Sequence, residues 1–411
     1  MIDRVDCMAR DRADPLARLR ERFHLPEGVI YLDGNSLGVL PKAVTARLQQ
    51  VVATEWGEGL IRSWNDAGWW DYPKTIGDKI ARLIGAAPGE VVATDTTSVN
   101  LFKLLVAALA LRPGRKVILS DPGNFPTDLY VAQGISAMLG QGYRLKLVPG
   151  EAIQEAIDDS VAVVMLTHVD YKTARIYEMA RITGAAHQAG ALMLWDLAHS
   201  AGAVPVDLAG AAADLAVGCG YKYLNGGPGA PAYLYVRRDL QDSIRPPLSG
   251  WWGHAEPFAF ATDYQPAAGI ARNLCGTQSV LAMASLDAAL DIWAEVDLAQ
   301  VRAKSMALTE LFIGLVDQYC ADPGLTLASP RDAALRGSHV SLRHPDGYAV
   351  AQALRERGVI GDFRSPDLMR FGITPLYIGY TDIFDAVGHL ADILRTRAWD
   401  SAKFRARDKV T

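Results

Sequence analysis

The sequence has few cysteines and little net charge, and each of these features argues against a class of protein. Its four cysteines, Cys7, Cys219, Cys275 and Cys320, lie far apart. They form no CxxC pair and no zinc-finger spacing. Scattered thiols of this kind predict reduced cysteines and a cytoplasmic protein. The net charge of -5 offers none of the strongly basic surface that nucleic-acid binding requires, so no nucleic-acid partner is expected.

Long apolar segments are also lacking. No stretch approaches the roughly 20 apolar residues that a membrane-spanning helix needs. Charged residues occur throughout the first 23 positions, so no secretory signal is expected there. Half of the residues are hydrophobic and 21% are charged, as in soluble globular proteins. We therefore expect no membrane anchor, and the length leaves room for two or three domains.

Short apolar segments alternate with helical patterns through the middle of the chain. Strands are predicted at 116–120, 143–148, 161–167, 191–195, 215–218 and 232–236. Helices fit between several of them, for example at 176–188. This alternation favours an α/β fold with a mostly parallel central sheet and helices on both faces. Such sheets bind ligands at the carboxyl ends of their strands.

The pattern differs on either side of this region. Ahead of it, helices and one short strand are predicted at 14–24, 29–32, from 41 onward and at 72–85. Behind it, the irregular stretch 249–277 precedes a helical region and an α+β pattern. We therefore predict a large domain over 46–289 and a small α+β domain built from 1–45 and 290–411. The basic end, 401–411, is predicted to be a frayed, solvated tail.

One lysine stands out in the segment Gly218–Gly229, which reads GCGYKYLNGGPG. Lys222 follows an apolar strand and precedes a turn rich in glycine and proline. A lysine at the mouth of a sheet, in mostly apolar surroundings, can lose its proton and act as a nucleophile. The alternative is a solvated surface lysine, as most lysines are. Asp196 and Thr167 favour the nucleophile, because both lie where predicted neighbouring strands end.

Four kinds of side chain can meet at that edge of the sheet. Thr97 and Ser98 open a helix, and the free N–H groups of a helix N-terminus bind phosphate. Asp196 closes a buried strand and needs a cationic partner, such as a protonated ring nitrogen. Phe125 lies in a turn where its ring can stack on a planar ligand, and Lys222 can form a Schiff base with an aldehyde. Phosphate, ring nitrogen, flat ring and aldehyde together describe pyridoxal 5'-phosphate.

Two other kinds of site, a serine nucleophile and a metal centre, are alternatives to this one. The segment GNSLG at 34–38 matches the GxSxG elbow of α/β-hydrolases, with Ser36 as nucleophile. That elbow follows several βα units, and residue 36 leaves no room for them. Asp196 and His199 can ligate a metal, but no third ligand and no HExxH motif accompany them. We therefore predict no metal site, and the serine hydrolase stays the weaker alternative.

Seven motifs spread over nearly the whole chain resemble those of the kynureninase family, which has the aspartate-aminotransferase-like fold, fold type I, of pyridoxal-phosphate enzymes. They are YLDGNSLG (31–38), TTSVNLFKLL (96–105), FPTD (125–128), WDLAHSAG (195–202), GYKYLNGGPG (220–229), GWWGH (250–254) and MRFGITPLY (369–377). The resemblance implies hydrolytic cleavage of L-kynurenine to anthranilate and L-alanine. It also implies cleavage of 3-hydroxykynurenine and a place in tryptophan degradation.

The resemblance implies a role for each matched residue. Lys222 is implied to form the Schiff base with pyridoxal phosphate and to move the substrate's α-proton. Tyr221 is the candidate general acid near the leaving group, because of its place next to Lys222. The implied cofactor contacts are Thr97, Ser98, Phe125, Pro126, Thr127, Asp128, Thr167, Asp196, His199, Tyr221, Lys222, Trp251 and Thr277. Within this set Asp196 pairs with the ring nitrogen and Phe125 stacks on the ring.

Substrate contacts and assembly are implied in the same way. Arg370 is expected to clamp the substrate α-carboxylate with its bidentate fork. Trp64, Gly276 and Thr277 are expected to meet the aromatic ring, where animal-type enzymes resemble a His, Ser, Asn set. This bacterial-type set predicts a preference for kynurenine over 3-hydroxykynurenine. Trp251 and Thr277 are implied to come from a partner subunit, which predicts an obligate homodimer with shared active sites.

Two further alternatives remain open at this point. A cysteine desulfurase or selenocysteine lyase on the same fold usually has histidine before the Schiff-base lysine, where this chain has Tyr221. Such enzymes also need a cysteine on a mobile loop, whereas Cys320 lies at the end of a helical pattern. A non-enzymatic regulator with this fold would carry a fused DNA-binding domain, and no such domain is predicted. Product analysis with kynurenine distinguishes among these functions.

Overall fold

The computed structural model of the chain describes residues 2–406. Its α-helices are α1 Arg4–Ala13, α2 Lys42–Gln50, α3 Ser63–Asp66, α4 Tyr72–Leu83, α5 Thr97–Ala110, α6 Pro126–Leu139, α7 Met179–Gln188, α8 Arg238–Gln241, α9 Val280–Leu290, α10 Leu298–Tyr319, α11 Gly347–Glu356, α12 Tyr380–Thr396 and α13 Ala402–Arg405. Its strands are β1 Ile30–Tyr31, β2 Val91–Ala93, β3 Val117–Ser120, β4 Arg144–Leu147, β5 Val161–Thr167, β6 Leu192–Asp196, β7 Leu215–Cys219, β8 Ala232–Val236, β9 Thr326–Leu327, β10 His339–Arg343, β11 Val359–Ile360, β12 Asp362–Arg364 and β13 Leu368–Gly372.

A seven-stranded sheet forms the centre of the large domain, in the order β2-β8-β7-β6-β5-β3-β4. Strand β8 runs antiparallel to both of its neighbours, and the remaining pairs are parallel. Every residue of β5, β6 and β7 is buried. A strand that is covered on both faces has apolar residues at every position, so these strands could be predicted from continuous apolar runs in the sequence. The predicted mostly parallel sheet is confirmed.

The two faces of this sheet have separate apolar layers. In β6, Met193 and Trp195 belong to one core cluster, while Leu192 and Leu194 belong to the other. Successive side chains of a strand point to opposite faces. Burying each large apolar side chain contributes about 1.5–3 kcal/mol. The helices that cover both faces therefore stabilise the sheet, and the ligand-binding edge is left at the strand ends.

The small domain is built around a second sheet, with antiparallel strands in the order β12-β13-β10-β9. Strand β1, near the N-terminus, pairs in parallel with β11, with Ile30 opposite Val359. The two ends of the chain therefore meet in one structural unit. This pairing agrees with assigning 1–45 and 290–411 to one domain, although the exact boundaries stay a prediction.

The structure corrects the prediction of a helix at 14–24. An α-helix lies earlier, at Arg4–Ala13, and a 3-10 helix follows at Ala17–Arg22. Asp3 caps the first helix, because the backbone N–H of Asp6 donates to its side chain at 2.9 Å. Asp14 is extended, as expected for a residue that precedes a proline. The proline therefore separates the two helices.

The predicted frayed tail is also corrected, for the part that the structure describes. Residues Ala402–Arg405 form a short helix. Arg405 pairs with Asp346 at 3.1 Å, and the Tyr348 hydroxyl donates to the Ala406 carbonyl at 3.0 Å. These contacts anchor the segment on α11. Residues 407–411, also part of that prediction, lie outside the described range.

Candidate active site

A cavity of about 360 Å³ opens at the carboxyl edge of the central sheet. The predicted site residues that line it are Thr97, Ser98, Phe125, Thr127, Asp128, Thr167, Asp196, His199, Tyr221 and Lys222. Pro126 lies between two of them as the first residue of α6. Thr167 and Asp196 are opposite each other in the register of β5 and β6. The parallel topology brings these distant positions together, because parallel strands end at the same edge.

Lys222 lies in the loop between β7 and β8. Its Nζ is 3.0 Å from His199 Nε2 and 5.8 Å from the centroid of the Phe125 ring. The loop packs against the DGNSLG turn, since the Gly38 N–H donates to the Tyr221 carbonyl at 2.8 Å. A Cβ at Gly38 would lie 2.3 Å from the Lys222 carbonyl oxygen. Glycine is therefore required where this turn supports the lysine.

Asp196 and Asp128 form a buried pair of carboxyl groups beside the lysine. Asp196 Oδ1 accepts from the Ala198 N–H at 2.8 Å, and Asp128 Oδ2 accepts from Asn124 Nδ2 at 2.9 Å. Burial raises the pKa of both groups, and the neighbouring Asp196 raises the pKa of Asp128 still further. The positive charge of Lys222 opposes both shifts. Within the pair the upward shift is stronger for Asp128, because the neighbouring Asp196 adds to the effect of burial, so Asp196 is the member that more readily carries the negative charge.

Three more side chains define the chemistry of the cavity. The Phe125 ring is 38% exposed and meets Tyr171 edge-on at 5.1 Å. Burial lowers the pKa of His199 well below its usual range, with Lys222 adding to the shift, so its imidazole is neutral. Burial raises the pKa of Tyr221, so its hydroxyl stays protonated and can donate a hydrogen bond.

The donor and acceptor groups of the cavity fit pyridoxal phosphate. Thr96 caps α5 by accepting from the Val99 N–H at 3.3 Å, and it lines the cavity together with Thr97 and Ser98. Hydroxyls and free N–H groups at a helix N-terminus suit a phosphate. The buried carboxylate of Asp196 suits a protonated ring nitrogen. Nδ1 of His199 has no hydrogen-bond partner among the described residues, which is consistent with a polar group completing the site.

Four predicted residues lie outside this cavity. Trp251 is 40% exposed, and Gly276 and Thr277 lie on an exposed loop. Trp64 is partly buried and meets Trp252 edge-on, at 5.3 Å between ring centroids. None of the four lines the cavity of its own chain. Their predicted roles remain predictions that require a second subunit or a movement of the loop.

Arg370 also lies behind the cavity wall, where it is buried in an ion pair. Its Nε donates to Asp362 Oδ1 at 2.7 Å, and its Nη2 pairs with the same carboxylate. Nη1 donates to the Tyr171 carbonyl at 2.6 Å. The Ser36 hydroxyl donates to Asp362 Oδ2 at 2.7 Å. The Ser36 hydroxyl is therefore used in a hydrogen bond to Asp362. Among residues 2–406 no histidine contacts this hydroxyl, which disfavours a serine hydrolase.

The sequence-based prediction missed several contributors to the site. Tyr171 lines the cavity, and Asn124 links two of its walls by accepting from the Thr167 N–H at 2.6 Å and donating to Asp128. Asn124 directly precedes the FPTD turn, so its position was a usable signal. The contact of Asp362 with Arg370 could not be predicted from the sequence, because only the pairing of β12 with β13 places the two residues opposite each other.

The remaining alternatives receive little support from the site. All four cysteines are free, and none lines the cavity. Burial raises the pKa of Cys320 to about 12, which disfavours the thiolate that a persulfide-forming cysteine needs. Within residues 2–406, no three His, Cys, Asp or Glu side chains converge as a metal site. Over the same range, none of the helices combines the length and the apolar character needed to cross a membrane.

Comparison with known proteins connects this geometry to one family. The kynureninase of Pseudomonas fluorescens is 56% identical over 416 aligned residues, covering all of both chains. The kynureninase of Burkholderia pseudomallei strain 1106a is 55% identical with the same coverage. The profile of the kynureninase C-terminal domain matches residues 301–390. These are the relationships that the seven sequence motifs predicted.

Solved structures show the same fold at much lower identity. The cysteine desulfurase of Thermococcus onnurineus NA1 aligns with a TM-score of 0.78 at 20% identity, covering 92% of this chain and 98% of that one. The cysteine desulfurase CsdA of Escherichia coli gives 0.78 at 20% identity, covering 93% and 98%. A mutant of C-DES with glycine covalently linked to its pyridoxal-phosphate cofactor also gives 0.78, at 19% identity, covering 91% and 99%. At these identities the likeness concerns the fold alone.

Proposed function

The chain belongs to the kynureninase family, and from that premise we propose that its cavity cleaves L-kynurenine hydrolytically to anthranilate and L-alanine. It is a hydrolase that acts on carbon–carbon bonds of ketonic substrates, uses pyridoxal 5'-phosphate and serves tryptophan catabolism. The observation that carries the proposal is the pairing of Lys222 Nζ with His199 Nε2 at 3.0 Å, in one cavity with Asp196. 3-Hydroxykynurenine is a second substrate in this proposal.

Each residue of the cavity has its own role in the proposed reaction. When bound, the cofactor supplies an electron sink next to the reacting carbon. Lys222 Nζ is the amine that would hold the cofactor's aldehyde and would carry the substrate's α-proton. Neutral His199 accepts a hydrogen bond from Nζ and so directs it into the cavity. Asp196 would place negative charge at the ring nitrogen of the bound cofactor, and Phe125 would orient the ring by stacking.

Tyr221 is the proposed general acid. Its hydroxyl is protonated at neutral pH because burial raises its pKa, and it lines the cavity next to Lys222. A protonated hydroxyl so placed can donate to the carbon that leaves when the bond between the β- and γ-carbons breaks. The attacking water supplies the oxygen of the new carboxylate of anthranilate, and the amino acid leaves as alanine.

Product analysis tests the proposed reaction directly. Purified protein loaded with pyridoxal phosphate is mixed with L-kynurenine, and anthranilate and alanine are quantified by chromatography. We expect equal amounts of the two products. L-cysteine is the matched control substrate, because the structural neighbours include cysteine desulfurases. Sulfide from cysteine without anthranilate from kynurenine would contradict the proposal.

We propose that the active enzyme is a homodimer, on the basis of its exposed apolar surface. Trp251, Phe258 and Phe260 form a chain of ring contacts, and Phe260 is 78% exposed. Leu60 and Ile61, which is 77% exposed, add aliphatic surface from the segment that precedes α3. Grouped, exposed aromatic rings of this kind often mark a protein–protein interface. A second copy of the chain would cover it and bring Trp251 to the neighbouring cavity.

The location of the enzyme in the cell and its domain boundaries are two further proposals. Four free, dispersed thiols fit a reducing compartment, so we propose a cytoplasmic enzyme. We also propose domain boundaries at residues 45/46 and 289/290, supported by the pairing of β1 with β11.

Replacing Arg370 by lysine tests the carboxylate clamp. A substrate carboxylate must displace Asp362 from part of the guanidinium fork or share it. Lysine cannot form a planar fork, so we expect the KM for kynurenine to rise about 100-fold. Cofactor content, measured from visible absorbance, should stay near that of the wild type, because Arg370 does not line the cofactor cavity.

Arg364→Lys is the control for this test. Arg364 Nη2 contacts the same Asp362 carboxylate at 2.8 Å but is more exposed than Arg370. We expect its KM to stay close to that of the wild type. A lower melting temperature together with an unchanged KM in Arg370→Lys would show that Arg370 forms only a structural ion pair.

The Trp64→His substitution tests substrate preference. We expect the wild-type enzyme to favour kynurenine, because Trp64 offers a large apolar face and Gly276 and Thr277 offer few polar groups to a ring hydroxyl. Histidine should shift the ratio of kcat/KM for the two substrates about tenfold toward 3-hydroxykynurenine. The control is Trp56→His, which changes an exposed tryptophan on the same segment. A wild type that prefers 3-hydroxykynurenine, or an unmoved ratio in Trp64→His, would refute the assignment.

A further inference from the structure

Lys103 is a completely buried lysine in α5 that has no part in the proposed reaction. Its exposed fraction is 0%, and its helix neighbours Leu101, Leu104 and Leu105 are apolar and equally buried. Lysine is almost never fully buried unless its charge is paired. A leucine would pack in this helix without the cost of burying a charge. The ammonium group of Lys103 therefore needs an explanation other than packing.

The ammonium group joins two segments that are far apart in the sequence. Its Nζ donates to the Asn273 backbone carbonyl at 2.6 Å and forms an ion pair with the Asp95 carboxylate. Asp95 lies in the turn between β2 and α5, whereas Asn273 is the first residue of the loop 273–278, which carries Thr277. One buried charge thus fastens this loop to the turn.

The turn 94–96 lies at the edge of the cavity and is held by β8 as well. Thr96 lines the cavity and caps α5. The Thr94 N–H donates to the Ala232 carbonyl at 2.8 Å, and the Ala232 N–H donates to the Asp95 carbonyl at 3.0 Å. These backbone bonds do not involve the lysine, so the turn is the fixed end of the connection.

The loop 273–278 also packs against the segment 250–253, which carries Trp251 of the proposed subunit interface. The Trp252 N–H donates to the Cys275 carbonyl at 3.1 Å. A Cβ at Gly250 would lie 2.3 Å from the same carbonyl oxygen. The base of the loop is therefore tied to the sheet through Lys103 and to the interface through this segment, while its tip is exposed.

We propose that Lys103 is a positioning residue that holds the loop 273–278 where it can enter the cavity of the neighbouring subunit. The proposal rests on the proposed function, a homodimer with shared sites. Removing one member of a buried ion pair leaves the other without compensation. The loop should then detach from the turn, because β8 still holds the turn. Loss of Lys103 therefore alters the substrate contacts of the partner's cavity.

Hydrogen–deuterium exchange of the protein without substrate measures the loop directly. We expect the amides of 274–278 to exchange about tenfold faster in Lys103→Met than in the wild type, because the loop opens more easily. The control is Lys304→Met, which removes another buried lysine. Its Nζ pairs with Asp14 at 2.6 Å and donates to the Pro375 carbonyl at 2.6 Å. This control should lower the melting temperature without changing exchange in the loop.

Hybrid dimers show in which cavity the lysine acts. One chain carries Lys222→Ala, so only the cavity of the other chain can work, and the hybrid is isolated through two different affinity tags. With Lys103→Met on the Lys222→Ala chain, the altered loop reaches the working cavity. We expect the KM for kynurenine to rise about tenfold there with kcat nearly unchanged, because substrate contacts are lost while the working lysine is intact.

The reverse arrangement is the internal control. With Lys103→Met on the working chain, the altered loop reaches the inactive cavity, and the KM should stay near that of the hybrid without this substitution. Lys304→Met should leave the KM unchanged on either chain. An unchanged KM in the first hybrid, equal changes in both arrangements, or unchanged exchange in 274–278 would refute the proposal.

A second variant decides if Lys103→Met does not fold. Asp95→Asn removes the paired charge, and asparagine tolerates the left-handed backbone of this position, where φ is 50°. We expect the same faster exchange and the same rise in KM in trans. Absence of anthranilate from the wild type would refute the proposed reaction, whereas loop exchange is measured without substrate. An active wild-type monomer would refute the shared site and this proposal with it.

Discussion

The Lys222→Ala protein is expected to lose kcat by a factor on the order of 10⁴ or more while keeping its fold. Nζ of Lys222 is the amine at the cavity that contacts both His199 and the face of Phe125. Removing it takes away the covalent attachment of the cofactor and the group that carries the α-proton. The side chain is only partly buried, so its loss leaves no large void in the core.

Absorbance and activity check this prediction together. The visible band of the bound cofactor should disappear or move in Lys222→Ala, and anthranilate formation should fall to background. Circular dichroism should match that of the wild type. Lys146→Ala is the control and should retain the band and the activity, because this half-buried lysine on β4 does not line the cavity and contacts only Asp158, at 3.6 Å, and the Ala156 carbonyl, at 3.2 Å, among the polar groups of the described residues. A Lys222→Ala protein with an unchanged band would remove Lys222 from its role.

Thr277→Trp is expected to abolish activity even though Thr277 is exposed and lies outside the cavity of its own chain. In a dimer with shared sites, the bulky indole would enter the partner's cavity. Mixing this protein with Lys222→Ala protein should restore about a quarter of the wild-type activity, because half of the dimers are hybrids and each hybrid has one intact site. No contact within a single chain predicts this recovery.

Subunit exchange and activity are measured together in the mixing experiment. The two variants are co-expressed with different tags, and the unfractionated mixture is assayed first. The hybrid is then isolated by two affinity steps and should have about half of the wild-type activity, because one of its two sites is intact. Thr396→Trp, on the exposed surface at the end of α12, is the control and should stay active alone. An active monomer in sedimentation, or a hybrid without activity, would contradict the shared site.

Local sequence patterns predicted helices and strands correctly where the physical cause of the element is itself local. The run at 161–167 matched β5 over its whole length, because a strand buried on both faces has to be apolar throughout. The helix predicted from Pro41 begins at Lys42, since proline suits the start of a helix. At 14–24 the local pattern failed, because the α-helix lies earlier, at Arg4–Ala13, and Pro15 separates it from the 3-10 helix at Ala17–Arg22.

The chemistry of the site was readable in the sequence because it depends on residue type and on strand ends. Lys222, Asp196 and Thr167 follow predicted strands, and parallel topology places such positions at one edge. That edge is where the structure has its cavity. The family followed from the motifs around these residues, and full-length relatives at 55–56% identity confirm it.

Only the tertiary structure decided which buried groups support that chemistry. The pairing of β12 with β13 places Asp362 against Arg370, and the packing of β10 places His339 beside His199. The first contact depends on the register of two adjacent strands, and the second joins residues far apart in the chain, so no local period records either of them. Charge and hydrogen-bond partners depend on distances of a few ångströms between different elements of the fold, whereas sequence patterns report only which face of an element is buried.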